Sequence, residues 1–376
     1  MIVGGYNETG PLAEIWIYDL ARSMWQEIMG GLANKGPLPR VDFDACILGN
    51  KVYLFGGMET DETGDQALIY NDLWSFDLDS RRWVLLNEES PVSERMGHVC
   101  VSIDSDHFIL HGGDCLGKAF SDLWLYTASS ASWQRVHDHV SVDERHAVTI
   151  NAPCARSNHS VCLVPEVRKV ALFAGMAPLD GQPSHMNDFW LLDTSAGSAS
   201  TAMWSWSRVE GSSSATDPAT AQQALQQAQE ENGDGNVFPS PRDMPAIASV
   251  PTAAGPKLVV LGGFGLQEVD SEDGAGEEEE DGMQGIEAEG GGDGSIAVGY
   301  LADVWTIDMA GTCTELADDE INFISGSGAP VLPAWGSGGF KRGAKLVGTS
   351  QGLISFGGFD GDLFCGALEK VELKLA

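Results

Sequence analysis

Residues 53–83 read YLFGGMETDETGDQALIYNDLWSFDLDSRRW, and this stretch decides the fold. An apolar run, Tyr53 to Phe55, stops at the small pair Gly56 and Gly57, and a polar connection follows. A second strand then begins with an acid, Asp72, two places before Trp74. Along it Trp74, Phe76 and Leu78 fall on one face, and Leu73, Ser75 and Asp77 on the other, the two-residue alternation of a β-strand. Trp83 stands seven residues beyond Phe76 and marks a further strand.

The same unit recurs on both sides. Apolar segments ending in a small pair occur at Gly4/Gly5, Gly56/Gly57, Gly112/Gly113, Ala174/Gly175, Gly262/Gly263 and Gly357/Gly358. Each pair is expected to end a strand and to open a loop. An acid precedes tryptophan by two at Glu14/Trp16, Asp72/Trp74, Asp122/Trp124, Asp188/Trp190 and Asp303/Trp305. From the second glycine, Trp16, Trp124 and Glu369 all lie 11 residues on, so the register persists in the last copy although its ring is gone. A later tryptophan follows at Trp25, Trp83 and Trp133. Upstream of the glycines one more strand opens with arginine, at Arg40, Arg95, Arg156, Arg242 and Arg342. Each unit is therefore four strands, A to D, with the glycine pair after B and the acid and first tryptophan at C. A fixed period of this kind is the mark of stacked repeats.

The pattern resembles the kelch repeat, and the resemblance covers nearly the whole chain. It implies an all-β, six-bladed propeller of four-stranded antiparallel blades. The expected organisation is one domain, 1–376: blade 1 over 1–29, blade 2 over 38–87, blade 3 over 94–137, blade 4 over 154–210, an insertion 211–240, blade 5 over 241–317 with an insertion 266–299, and blade 6 over 339–376. Copy one lacks strand A and copy six lacks strand D, so the first and last blades are expected to be incomplete, or the chain to be part of a longer protein. Crowded turns explain the glycines, and tryptophans between blades explain why one blade alone is unstable.

Composition narrows the function. A formal charge of −34, from 21 Lys and Arg against 55 Asp and Glu, disfavours nucleic acid and anionic membranes, which need clustered cations. No apolar stretch of about 18 residues and no leader-like start is present, which suggests a cytoplasmic or nuclear protein. The 7 cysteines include no CxxC pair, so neither a zinc site nor a disulfide framework is expected. His98 and His159 each follow an arginine by three residues and read as channel-lining groups; His137, His139 and His146 make a loose cluster without ligand spacing.

Both insertions are expected to be disordered, being poor in large apolar residues and lacking Lys and Arg. Together they hold 16 acidic residues, Asp217, Glu230, Glu231 and Asp234 followed by 12 from Glu268 to Asp293. Antiparallel strands send the B–C and D–A loops from one face, so both insertions emerge there, either as an acidic lip that steers a basic partner or as a solvated spacer.

The arginines enter strand A, the innermost strand of a propeller blade, so their guanidiniums are expected to form a ring at the channel mouth on that same face. In kelch substrate adaptors of ubiquitin ligases, arginines at this position help bind acidic peptides, and Arg40, Arg95, Arg156, Arg242 and Arg342 match by register. The alternative is that they hold the blades together, pairing with Asp72, Asp122 or Asp188. The expected function is protein binding by a monomeric module or by the recognition part of a longer adaptor, with no cofactor. Copper radical oxidases resembling galactose oxidase also carry such blades, but Tyr18, Tyr53 and Tyr126 are used in packing here, and no phosphate loop or nucleophile elbow occurs.

Overall fold

The computed structural model describes the chain except for 8–9, 20, 23, 29–35, 61–66, 137–139, 143–147, 151, 180–181, 210–237, 270–294, 302, 318–320, 326–329, 332–344, 350–351, 357–367 and 374–376. Arg342, Gly357, Gly358 and the histidines at 137, 139 and 146 thus lie outside the described residues, as does most of each insertion. The fold is all-β with propeller blades; among the described residues one short 3-10 turn, Ser198–Met203, interrupts the strands. Two compact units are present, Met1–Leu172 with Trp190–Arg208, and Phe173–Phe189 with Val209–Ala376.

In the first unit the strands of blade 2 run Asp44–Leu48, Lys51–Phe55, Leu73–Asp77 and Arg82–Asn87, hydrogen-bonded in the order A, B, C, D. Blade 3 repeats this with Val99–Ser102, His107–His111, Leu123–Thr127 and Ser132–Val136. Blade 4 has Ser160–Val164, Lys169–Phe173, Phe189–Asp193 and Ser205–Arg208. The first sheet has three strands, Ile2–Asn7, Gly10–Asp19 and Met24–Ile28, which are B, C and D. Among the described residues this sheet has no strand A.

The second unit holds blade 5, Ala246–Thr252, Gly255–Leu261, Val304–Asp308 and Cys313–Glu315. Its other large sheet corrects one expectation. Lys345–Thr349, Gly352–Phe356 and Leu368–Leu373 supply A, B and C, and Ile321–Ser325 pairs antiparallel with Leu368–Leu373 where strand D belongs. The last blade is therefore completed by a segment that precedes its own strand A, and Pro330–Val331 adds a fifth strand. Among the described residues, five blade sheets carry four or five strands and the first carries three. Strand backbone needs partners, and a sheet edge takes whichever extended segment reaches it. The insertion 266–299 also differs at its ends: Phe264–Val269 pairs with Ser295–Tyr300.

The first glycine pair departs from the expected crowded, strand-ending turn. Gly4 and Gly5 do not end their strand; both lie inside Ile2–Asn7, and Gly5 pairs with Leu12 after an irregularity between Val3 and Gly5. Gly5 is exposed, and a Cβ there would meet only Leu12 Cδ1, at 4.0 Å. The reason is the missing neighbour: the carbonyl that crowds the second glycine elsewhere comes from the segment entering strand A, which this sheet lacks. Gly263 is crowded as expected, since a Cβ at its φ of +111° would stand 2.7 Å from the Asp243 carbonyl. Like Gly57, Gly113 and Gly175, it opens a hairpin rather than a plain loop. Strand Phe264–Val269 begins at the next residue, and the Gly263 carbonyl accepts from the Leu301 amide, which closes the far arm of that hairpin onto the turn.

Packing follows the alternation. Phe76, with Trp74 and Leu78, buries against Ile15 and Ile28 of the first sheet, and Leu73, on the opposite face, joins Leu110, Phe108 and Tyr126 of blade 3. Ile109, Leu123 and Leu125 of blade 3 meet Trp190, Leu192, Trp204 and Trp206 of blade 4. In the second unit Ala246, Val259 and Val304 pack with Ile321, Leu346 and Leu353. The core thus lies between sheets. At the C–D turns a recurrent aspartate caps the chain: Asp77 accepts from the Ser80 amide and hydroxyl, Asp19 from the Ala21 and Arg22 amides, and Asp308 from those of Ala310 and Thr312. These bonds to the ionised form hold the carboxyls of Asp77 and Asp19 below their ordinary range.

Candidate interaction face

Each described arginine of the repeat enters its blade beside the glycine pair. Arg40, Arg95, Arg156 and Arg242 are 3%, 0%, 0% and 0% exposed, so none offers its guanidinium to solvent. Arg95 donates from Nη1 and Nη2 to the two oxygens of Asp122 at 2.6 and 3.0 Å, from Nη1 to the Gly112 carbonyl at 2.8 Å, and from Nε to the Ser93 carbonyl at 3.0 Å. Arg40 makes the same set with Asp72, Gly56 and Leu38. Arg242 makes it with Asp303, Gly262 and Ser240. Arg156 donates from Nε to the Cys154 carbonyl at 3.2 Å.

The acid before tryptophan now has its reason. Trp74, Trp124 and Trp305 donate their indole N–H to Asp72, Asp122 and Asp303 at 2.7, 2.7 and 2.6 Å, so one carboxylate joins strand C to both arginine and tryptophan. In the first sheet, where the described residues include no strand A and no arginine entering one, Glu14 still accepts from Trp16 at 2.8 Å. Burial pushes the Asp122 carboxyl up, but the Arg95 contacts outweigh this and hold it below the ordinary carboxylate range. Tyr70 and Phe120 cover the guanidiniums of Arg40 and Arg95, at 3.9 and 4.2 Å from ring centre.

The arginine backbone reaches the preceding blade. The amide of Gly57 donates to the Arg95 carbonyl, and the Arg95 amide donates to the Tyr70 carbonyl; Gly113 and Phe120 bracket Arg156 in the same way. In the second unit Gly175 and Met186 bracket Arg242. A Cβ on Gly57, at φ +90°, would sit 2.7 Å from the Val41 carbonyl, and one on Gly113, at φ +99°, 2.9 Å from that of Met96. Two residues past each arginine the chain turns left-handed, at Asp42, Gly97, Asn158 and Met244, with φ 53°, 60°, 56° and 48°. Gly97 donates to the Asp42 carbonyl and Asn158 to that of Gly97, a chain of bonds from blade to blade that nothing in the side-chain pattern announced.

The glycine pairs launch hairpins. Met58–Thr60 pairs with Ala67–Ile69, Asp114–Cys115 with Lys118–Ala119, Met176–Leu179 with Gln182–His185, and Phe264–Val269 with Ser295–Tyr300. Their sequences and lengths differ, whereas the clamps beneath them repeat. Exposed apolar side chains stand on two of them, Leu68 at 57% and Leu116 at 75%.

His98, His111 and His159 are buried, and His111 Nδ1 lies 3.0 Å from His159 Nε2. Burial, reinforced by Arg156, lowers His111 to about 3; burial and His111 itself push His159 well below its usual value. Both rings are neutral at physiological pH. Among the described residues no group of three His, Cys, Asp or Glu side chains is placed to hold a metal ion, and Cys46, Cys100, Cys115, Cys154, Cys162 and Cys313 are unbridged. Among them, too, no helix is long and apolar enough to cross a membrane.

Residues 1–147 match the model of the KLHDC2/KLHL20/DRC7 Kelch-repeats domain. The chain is 32% identical over 117 residues to the Rho GTPase-activating protein gacHH of Dictyostelium discoideum, covering 31% of this chain and 8% of that protein. With the human Kelch domain-containing protein 1 it shares 28% over 193 residues, 48% of this chain and 41% of the relative. Human Host cell factor 2 is 25% identical over 198 residues, 48% of this chain and 23% of that protein. The match spans less than half the length of each. Glycine-ended strands, Arg–Asp–Trp clamps and these similarities agree: residues 1–147 match kelch repeats, and the described sheets are blades of the β-propeller type.

Proposed function

We propose that this chain is a protein-interaction module, and that the partner is met by the B–C hairpins and D–A loops. One observation carries the reading: hairpins of unlike sequence stand on a repeated, internally bonded base. Variable loops positioned by a rigid scaffold are where binding residues concentrate. In this reading the partner does not touch Arg40, Arg95, Arg156 or Arg242. Their guanidiniums are already committed, and they act from beneath by fixing the turns from which the hairpins rise. Since the similarity spans less than half of each relative, the module also suits the recognition part of a longer polypeptide.

A photo-crosslinking residue placed at Leu68 or Leu116, compared with one at Asp79 or Asp104 at the opposite ends of the strands, tests this in cell extract. Discrete adducts from the first two positions and none from the others support the assignment. The reverse distribution overturns it.

A further inference from the structure

Segment Ser93–Met96 lies between two hairpins: the Arg95 amide bonds the Tyr70 carbonyl on one side, and Met96 forms a bridge with Asp114 on the other. Above it is a groove of about 350 Å³ lined by Asn71, Ser93, Glu94, Cys115, Lys118 and Phe120. Phe120 is the one large apolar side chain in its lining, and Leu116, between Cys115 and Lys118 at the tip of the adjoining hairpin, is 75% exposed. Glu88 and Glu89, at the end of strand D of blade 2, and Glu94 are exposed. Arg40 and Arg95 do not offset them, since each is buried against its own aspartate. Lys118 is exposed but leans over Phe120, 5.6 Å from its ring centre.

We propose, resting on the interaction-module reading, that this groove receives an extended basic segment of a partner protein. An apolar residue of the segment seats against Leu116 and Phe120, while flanking lysines or arginines meet Glu88, Glu89 and Glu94. The charge selects the occupant. An acidic peptide would confront three exposed carboxylates and find only the Lys118 ammonium to receive it, whereas a basic one gains attraction at encounter and in the bound state. Leu116 and Phe120 supply what charge alone lacks, a reason for binding here rather than anywhere on an acidic surface.

Fluorescence anisotropy with the full chain tests the assignment, the probe being a labelled synthetic Lys/Arg-rich peptide with a central leucine. The combined substitution Glu88→Lys, Glu89→Lys and Glu94→Lys is expected to weaken binding about tenfold or more, Leu116→Ser about threefold, and Lys118→Glu to tighten it about threefold. Asp79→Lys, at the far end of the strands, is expected to leave affinity within about twofold. All these positions are exposed, and circular dichroism checks that each variant is folded. Four results overturn the proposal: no binding by the unaltered chain, equal binding of a peptide with glutamates in place of its basic residues, indifference to the triple and Leu116 variants, or an Asp79→Lys effect as large as theirs. Should the triple variant still form the crosslinks from position 68, the module reading survives and this groove falls.

Discussion

Replacing Arg95 by alanine separates an arginine that holds the fold from one that holds a ligand. In the structure the side chain is 0% exposed and its partner Asp122 is 13% exposed. Removal strands that carboxylate with Trp124 as its remaining side-chain donor, and deprives the Gly112 and Ser93 carbonyls of theirs. Breaking a buried pair from one side costs about 3–5 kcal/mol, and the carbonyls add about 1 kcal/mol or more. The expected loss is therefore about 5 kcal/mol, a large part of the ~5–15 kcal/mol that a folded protein has in hand. Arg22 serves as the control, since it too pairs with an aspartate, Asp19 at 2.9 Å, but its side chain is 78% exposed. An exposed pair contributes less than about 1 kcal/mol. Urea unfolding followed by tryptophan fluorescence should give a far lower midpoint for Arg95→Ala than for Arg22→Ala. The double variant Arg95→Met/Asp122→Leu should recover part of the loss, because neither charge is left alone. Equal midpoints for Arg95→Ala and Arg22→Ala, together with lost partner binding, would refute the clamp and return the arginine to the ligand.

Three further outcomes are expected. Gly113→Ala should cost about 2–3 kcal/mol by thermal unfolding, since a Cβ there meets the Met96 carbonyl and the His98 side chain at 2.9 Å with φ at +99°, whereas Gly5→Ala, at φ +124° but with only Leu12 Cδ1 at 4.0 Å, meets backbone strain without the clash and should cost less. Ala174→Gly should do the opposite and stabilise by about 0.5–1 kcal/mol: Ala174 sits at φ +64° where other repeats carry glycine, and relief of that strain exceeds the added freedom of the unfolded chain. Stability should fall on acidification, because His111 and His159 stay neutral when folded but take up protons near pH 6.5 when unfolded, among Arg95, Arg156, Asp122 and His98. The unfolded state then binds more protons, so stability is full above about pH 6.5 and is lost towards pH 3 for His111, by up to about 1.4 kcal/mol per pH unit for each ring. Urea midpoints measured across that window, with His111→Gln flattening the slope, check it.

Much of this protein is written locally, because a strand states its pattern in its own residues. The glycine pairs, the two-residue alternation around Trp74 and the spacing to Trp83 specify strands B, C and D without reference to anything distant, and the blades follow. The acid before tryptophan is equally local, its carboxylate and indole being neighbours on one strand face. What a glycine pair does next is less so: Gly5 and Gly57 stand at the same place in the repeat, yet only the second has a strand-A segment pressed against it. What the last sheet does is not local at all. Ile321–Ser325 has the extended backbone of any strand, and its pairing with Leu368–Leu373 depends on which edge lies open after the rest has packed. The arginines show the same division. Their period is plain in the sequence, but a guanidinium at an open channel and one locked to Asp122 carry the same letter, and burial alone distinguishes them. Whether a charge is offered or already spent is set by the carboxylate that arrives 27 residues later in the chain for Arg95, or 61 for Arg242, so tertiary structure decided that question.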